Sequence, residues 1–134
     1  MRIWPILPIL ALGVFTPLAV SAQDVPGLPS FSAQVTGDWV DPRVHRCGQV
    51  WVRIAVEGGS VQHYTVTYGN AVPGMTGKIL EIGEDGDARI YNSTLAAEQR
   101  VRFVTPDAHV LERLNGAGGV TFVRCPRSGD GTGS

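Results

Sequence analysis

Residues 50–57 read Val-Trp-Val-Arg-Ile-Ala-Val-Glu, and every second residue is a valine or an isoleucine. Successive side chains of an extended chain point to opposite faces, so this period of two predicts a β-strand with one buried face. The other face is mostly exposed, because it carries the charges of Arg53 and Glu57. The expected buried face consists of Val50, Val52, Ile54 and Val56. One such strand needs partners that cover its apolar face.

Similar runs, rich in β-branched and aromatic residues, occur on both sides of this stretch. They lie near residues 36–41, 61–68, 78–83, 87–92, 99–105, 108–114 and 119–125. Glycine-containing turns at residues 58–59, 84–87 and 115–119 separate several of them. Residues 68–77 (YGNAVPGMTG) predict a longer mobile loop, and residues 94–99 are the one candidate for a helical turn. The pattern predicts about eight antiparallel strands.

Short turns make neighbours in sequence neighbours in space, which favours a meander. An open row of antiparallel strands exposes two unpaired edges, and closure removes both. We therefore predict an all-β fold: a single small antiparallel meander that forms a closed or half-open barrel of about eight strands. A two-sheet β-sandwich is the alternative.

Residues 1–22 have the pattern of a signal peptide, with Arg2 before an apolar stretch and the small residues Ser21 and Ala22 at its end. We expect cleavage before Gln23 and export to the periplasm or the outside of the cell. An uncleaved anchor is the alternative, because residues 3–20 lie at the lower edge of the length that spans a bilayer.

The rest of the chain divides by composition into three parts. Residues 23–32 are rich in proline and serine and predict a flexible leader, residues 33–125 the β-barrel, and residues 126–134 a disordered tail. Cys47 and Cys125 are the two cysteines, and in an exported protein they are expected to form a disulfide. It would close a loop of about 79 residues and stabilise the fold by about 4.5 kcal/mol in the chain-entropy model.

Charge and motifs exclude several classes of function. The formal net charge is −1 and the arginines are scattered, so we expect no nucleic-acid partner, no stable membrane insertion after cleavage, and a monomer. His45, His63 and His109 lack zinc-site spacing, and His63 is predicted to point outward among threonines. No Gly-x-Ser-x-Gly motif or phosphate-binding loop is present. We expect no catalysis, no cofactor and no metal.

The segment Gly37-Asp38-Trp39 is a Gly-x-Trp motif at the head of the first predicted strand. With this motif, the meander and a disulfide to the last strand, the chain resembles the lipocalins. The resemblance is to the small exported β-barrel proteins of this calycin type whose function is uncharacterised. The resemblance implies that Trp39 plugs the closed end of the barrel. The chain is shorter than a standard lipocalin, and no C-terminal helix is apparent.

Two hypotheses for function follow. The first is an exported barrel that binds a small apolar or amphipathic ligand, with Tyr64, Tyr68, Phe103 and Phe122 on the interior face. The alternative is a protein-interaction module, an inhibitor or an envelope assembly factor, that uses surface loops such as the polar stretch 41–47. The possible ligand or partner contacts are Trp39, Arg43, His45, Arg46, Tyr64 and Tyr68.

Overall fold

A computed structural model describes residues 25–116 and 118–126. It contains one helix, α1 (Leu28–Val35), and eight strands: β1 (Gly37–Val40), β2 (Val50–Glu57), β3 (Ser60–Thr67), β4 (Asn70–Ile82), β5 (Ala88–Asn92), β6 (Ala97–Thr105), β7 (Ala108–Arg113) and β8 (Gly119–Arg124). The predicted signal peptide, the start of the leader and the tail from residue 127 lie outside the described residues.

The strands form a closed antiparallel barrel in simple chain order. Each strand pairs with the next, and β1 closes the ring by pairing with β8. Trp39 is the residue at the seam, opposite Val52 of β2 and Arg124 of β8. The predicted all-β meander and its closure are confirmed, and the sandwich alternative was wrong.

The predicted mobile loop 68–77 was wrong, because most of it belongs to strand β4. The connection from β3 is a two-residue turn at Tyr68 and Gly69, whose φ angles of 48° and 88° suit a tight hairpin. The β3–β4 register shifts between Gln62 and Tyr64, and this irregularity accommodates Pro73 and Gly74 within the strand. The predicted helical turn at 94–99 was also wrong, since residues 93–96 form a turn and β6 begins at Ala97.

The structure also differs from the predicted flexible leader, because helix α1 begins inside it. Leu28, Phe31 and Val35 are buried at helical spacing, so one face of α1 packs on the barrel core. Pro29 is compatible with the first turn, where its missing N–H is not needed. The carbonyl oxygen of Val35 accepts a 2.8 Å hydrogen bond from Trp39 Nε1 and ties the helix to β1.

Because the strands alternate in direction, the connections collect at two opposite ends of the barrel. We name the end next to α1 the closed end; it also carries the β2–β3, β4–β5 and β6–β7 connections. The opposite end, the mouth, carries the loop 41–49 and the β3–β4, β5–β6 and β7–β8 turns. Gln49 O accepts the Tyr68 N–H at 2.7 Å, which places the loop 41–49 beside the β3–β4 turn.

The Cys47–Cys125 disulfide joins the loop 41–49 to the residue after β8, with a Cα–Cα distance of 5.7 Å. The strand register pairs Trp51 with Val66 on the outer face of the barrel. Val66 is nevertheless buried. The disulfide thus ties the loop 41–49 to the end of the last strand.

Candidate functional site

Aromatic side chains fill the interior near the closed end. His109 lies 4.3 Å from the ring of Trp39 and 5.6 Å and 5.4 Å from those of Phe103 and Phe122, measured between centroids. Phe31 of α1 extends the cluster with an edge-on contact to Phe103 at 6.1 Å. An eight-stranded barrel is just wide enough for its side chains to fill it, and this half of the barrel is packed in that way.

The guanidinium of Arg124 covers the closed end from outside. Its carbon lies 4.2 Å from the centre of the Trp39 ring, a cation–π arrangement. The same group donates to the carbonyl oxygen of Gln34 at 2.7 Å and pairs with Asp107 at 3.2 Å. Arg124 thus links α1, β8 and the β6–β7 turn over Trp39.

His63 and His109 are both buried inside the barrel, so the prediction that His63 points outward was wrong. Burial lowers the pKa of His63 to about 4. Burial, and then the positive charges of His63 and Arg124, lower the pKa of His109 to about 3. Both imidazoles are therefore neutral at neutral pH. His109 Nδ1 has no hydrogen-bond partner within the described part of the chain.

The interior becomes more polar toward the mouth. Asn92 Nδ2 donates to Gln99 Oε1 at 3.2 Å, and both side chains are buried. A cleft of about 400 Å³ opens there. Its apolar lining is Leu111 and Val120, and its polar lining is Gln99 and Arg113. The size lies within the range of small-molecule sites, about 300–1,000 Å³.

Arg113 is the most informative residue of this cleft. Its half-buried side chain makes no ion pair or hydrogen bond within residues 25–116 and 118–126. The neighbouring Glu112 faces away and pairs with Arg102 at 3.3 Å and Arg100 at 3.8 Å. An unpaired guanidinium beside an apolar lining can hold a carboxylate or another anion through two parallel hydrogen bonds.

Glycines leave room for this cleft. A Cβ atom on Gly119 would lie 3.0 Å from the carbonyl oxygen of Leu111, and Gly118 has a φ of 89° that only glycine adopts freely. The β7–β8 turn therefore closes tightly against β7 without a side chain over Leu111. Substitution at either glycine would alter the wall of the cleft.

The structure does not bring together all the residues that the sequence analysis suggested as ligand or partner contacts. Trp39 is fully buried at the closed end, and Tyr64 lies on the outer wall, where its hydroxyl donates to Glu57 at 2.9 Å. Tyr68 is 74% exposed at the tip of the β3–β4 hairpin. Of the four aromatics expected inside, Phe103 and Phe122 belong to the core region, whereas Tyr64 and Tyr68 do not.

The three polar candidates Arg43, His45 and Arg46 do lie together. They line an open cleft of about 410 Å³ on the loop 41–49, at the mouth. Arg43 is held by Asp41, whose carboxylate accepts from Nε and Nη2 at 3.2 Å each. This hydrogen-bonded pairing lowers the pKa of Asp41.

Sequence reasoning missed Gln99 and Arg113. The alternation of β6 could have found Gln99, because it shares a face with Val101 and Phe103. Arg113 gives no such signal, since its lack of an acidic partner depends on contacts between strands. Asn92, which hydrogen-bonds Gln99, is also buried, and its Oδ1 accepts from the N–H groups of Thr94 and Leu95.

Among the described residues, no three His, Cys, Asp or Glu side chains lie close enough to hold a metal ion. Within the same ranges, no helix is long and apolar enough to cross a membrane. Comparison with protein-family models, with curated proteins and with solved structures found no match for this chain.

Proposed function

We propose that this protein is an exported, lipocalin-like barrel whose mouth binds a small amphipathic anion. The unpaired Arg113 at the edge of the mouth cleft carries the proposal, because it has no acidic partner among the described residues and lines the cleft together with Leu111 and Val120. The anionic group would lie against Arg113 and the amide of Gln99. The apolar part would cover Leu111 and Val120.

Three further observations support this proposal. The closed barrel with a buried Trp39 at one end fits a lipocalin-like chain. The disulfide fits an oxidising compartment outside the cytoplasm. The packed aromatic half leaves space near the mouth, which favours a short ligand over a long one.

A titration of purified protein with octanoate and with octanol tests the proposal. We expect octanoate to bind more tightly, and Arg113→Gln to weaken it about tenfold or more, because a hydrogen bond to a charged group contributes about 1.5–3 kcal/mol. Octanol binding should change little in this variant. Lys78→Gln is the matched control, since Lys78 is an exposed cation on the barrel wall.

Equal binding of the two probes, or an Arg113→Gln variant that binds octanoate like the parent chain, would refute the anion site. A denaturing mass spectrum of protein purified from its host tests export separately. A chain that begins at Gln23 would support it, and an unprocessed chain would count against it.

A further inference from the structure

Exposed apolar side chains concentrate at the mouth. We define the rim as five such residues, four on the four mouth connections and Val72 at the start of β4: Val44, Tyr68, Val72, Leu95 and Leu114. Their exposed fractions run from 37% for Leu114 to 74% for Tyr68. Toward the closed end, Val104 beside the β6–β7 turn and Leu80 near the end of β4 are the large apolar side chains of comparable exposure within the described residues, and Tyr91 of β5 is exposed on the wall. The mouth is thus the more apolar end of the barrel surface.

The connections of the rim also adjoin one another. Gln49 O accepts the Tyr68 N–H, and Glu98 O accepts the Leu114 N–H at 3.2 Å. The second bond holds the β7–β8 turn beside the start of β6, next to the turn that carries Leu95. The rim is therefore a set of hairpin tips that face in one direction around the mouth.

Unpaired arginines and unpaired acidic residues lie at opposite ends of the barrel. Arg46 and Arg113 are the described arginines without an ion pair, and both lie at the mouth, whereas the one described lysine, Lys78, is also unpaired and lies on β4 opposite Ser60, toward the closed end. The described acids without an ion pair all lie in the closed-end connections or at their edges: Glu57, Glu84, Asp85 and Asp87. The five described arginines of the wall and the closed end are each paired with a carboxylate. Although the whole chain carries a formal net charge of only −1, the barrel has a positive mouth and a negative closed end.

We propose that the mouth of the barrel docks reversibly on an anionic phospholipid surface, with the rim in the interface and Arg46 and Arg113 against the headgroups. The negative surface potential would attract the mouth and repel the closed end, which sets the orientation. The apolar tips would then enter the headgroup boundary, as the apolar face of an interfacial protein does. Docking of this kind inserts no strand or helix across the bilayer, and Arg113 would face either a lipid headgroup or the anionic group of a bound ligand.

Co-sedimentation with vesicles measures the docking directly. The processed chain from its host is mixed with phosphatidylcholine vesicles that contain about 30% phosphatidylserine, or with pure phosphatidylcholine vesicles. We expect binding to the anionic vesicles alone, and its loss at about 0.5 M salt, where charges are screened over a few ångströms. Arg113 is left unchanged in every variant, so that the mouth cleft keeps its lining.

Two pairs of variants locate the contact. Arg46→Gln should weaken vesicle binding about 5-fold, whereas Lys78→Gln removes the same charge from the wall and should leave binding unchanged. The double variant Tyr68→Ser/Leu114→Ser should weaken binding about tenfold or more, whereas Val104→Ser at the closed end should not. All these side chains are exposed, and urea unfolding verifies that each variant keeps the parent fold.

Several outcomes would overturn the proposal. One is equal binding to both vesicle types, and another is equal loss in Arg46→Gln and Lys78→Gln. Dimerisation that the rim variants abolish, without vesicle binding, would make a second copy of the chain the occupant. Normal octanoate binding by a chain that ignores both vesicle types would refute docking and leave the proposed ligand site intact.

Discussion

Acidification should destabilise this barrel well above the pH at which carboxylates titrate, because two histidines are buried in neutral form. In the unfolded chain each imidazole takes up a proton near its ordinary pKa of about 6.5. In the folded chain, burial lowers the pKa of His63 to about 4 and that of His109 to about 3. The free energy of unfolding is therefore highest above pH 6.5, where both imidazoles are neutral in the folded and the unfolded chain. It falls as the pH drops from 6.5 toward the lower pKa values of the folded chain.

The magnitude follows from the two shifts. At 1.36 kcal/mol per pKa unit, the full loss is about 3 kcal/mol for His63 and about 5 kcal/mol for His109. At pH 5 only part of each has developed, about 2 kcal/mol per histidine, or about 4 kcal/mol together. Asp87 acts in the opposite direction, because burial raises its pKa. Asp41 acts in the same direction, but at lower pH, because pairing with Arg43 lowers its pKa.

Urea unfolding followed by tryptophan fluorescence at pH 7.5, 6 and 5 measures this loss. The variants His63→Gln and His109→Phe should each halve the pH dependence, and His109→Phe also removes the unpartnered Nδ1 atom. His45→Gln is the control, since this side chain is exposed on the loop 41–49. Stability that is flat between pH 7.5 and 5, or a pH dependence that survives in the double variant, would refute the reasoning.

Three other perturbations test the fold. The ends of the Cys47–Cys125 disulfide are 78 residues apart, and its reduction should lower the free energy of unfolding by up to about 4.5 kcal/mol. Urea unfolding with and without reductant measures this loss. A loss below about 1 kcal/mol would contradict the expected constraint on the unfolded chain. Phe31→Ala should lower the free energy of unfolding by about 3–5 kcal/mol, because this side chain of α1 is fully buried. Ser30→Ala is the control and should change it very little, because Ser30 is exposed. Equal stability of the two variants would refute the packing of α1 on the barrel. Gly77→Ala should lower the free energy of unfolding by about 1–3 kcal/mol, because the added Cβ would lie 2.5 Å from Ile90 Cδ1. Ile90→Val removes that atom, so the double variant should recover part of the loss, which a double-mutant cycle measures.

The strand pattern was predictable because most of the barrel obeys a period of two. The predicted run 50–57 matches β2 residue for residue, since its valines and isoleucine recur without interruption. The run 61–68 was harder to interpret, because both faces of β3 carry buried residues: Val61 and His63 face inward, whereas Val66 packs outward beside Trp51. Alternation alone cannot tell which of two apolar faces lines the interior.

The missed elements are those where composition and spacing disagree. Gly27, Pro29 and serines suggested a linker, although Leu28, Phe31 and Val35 have helical spacing and become buried on the core. In β4, Pro73 and glycines suggested a loop, but pairing with β3 through an irregular register outweighed that local preference. The mouth cleft could not be predicted from the sequence, because it depends on which charges remain unpaired once eight strands are assembled.

The seam between β1 and β8 has a consequence for the order of folding. β1 is only four residues long, and it pairs with the last strand of the chain. The hairpins from β2 to β8 are local and can form early, but the ring cannot close until Arg124 has emerged to meet Trp39. If the protein is exported as proposed, its chain therefore stays open while it crosses the membrane. It becomes a barrel only once its final strand arrives, and the disulfide then makes that last, longest-range contact permanent.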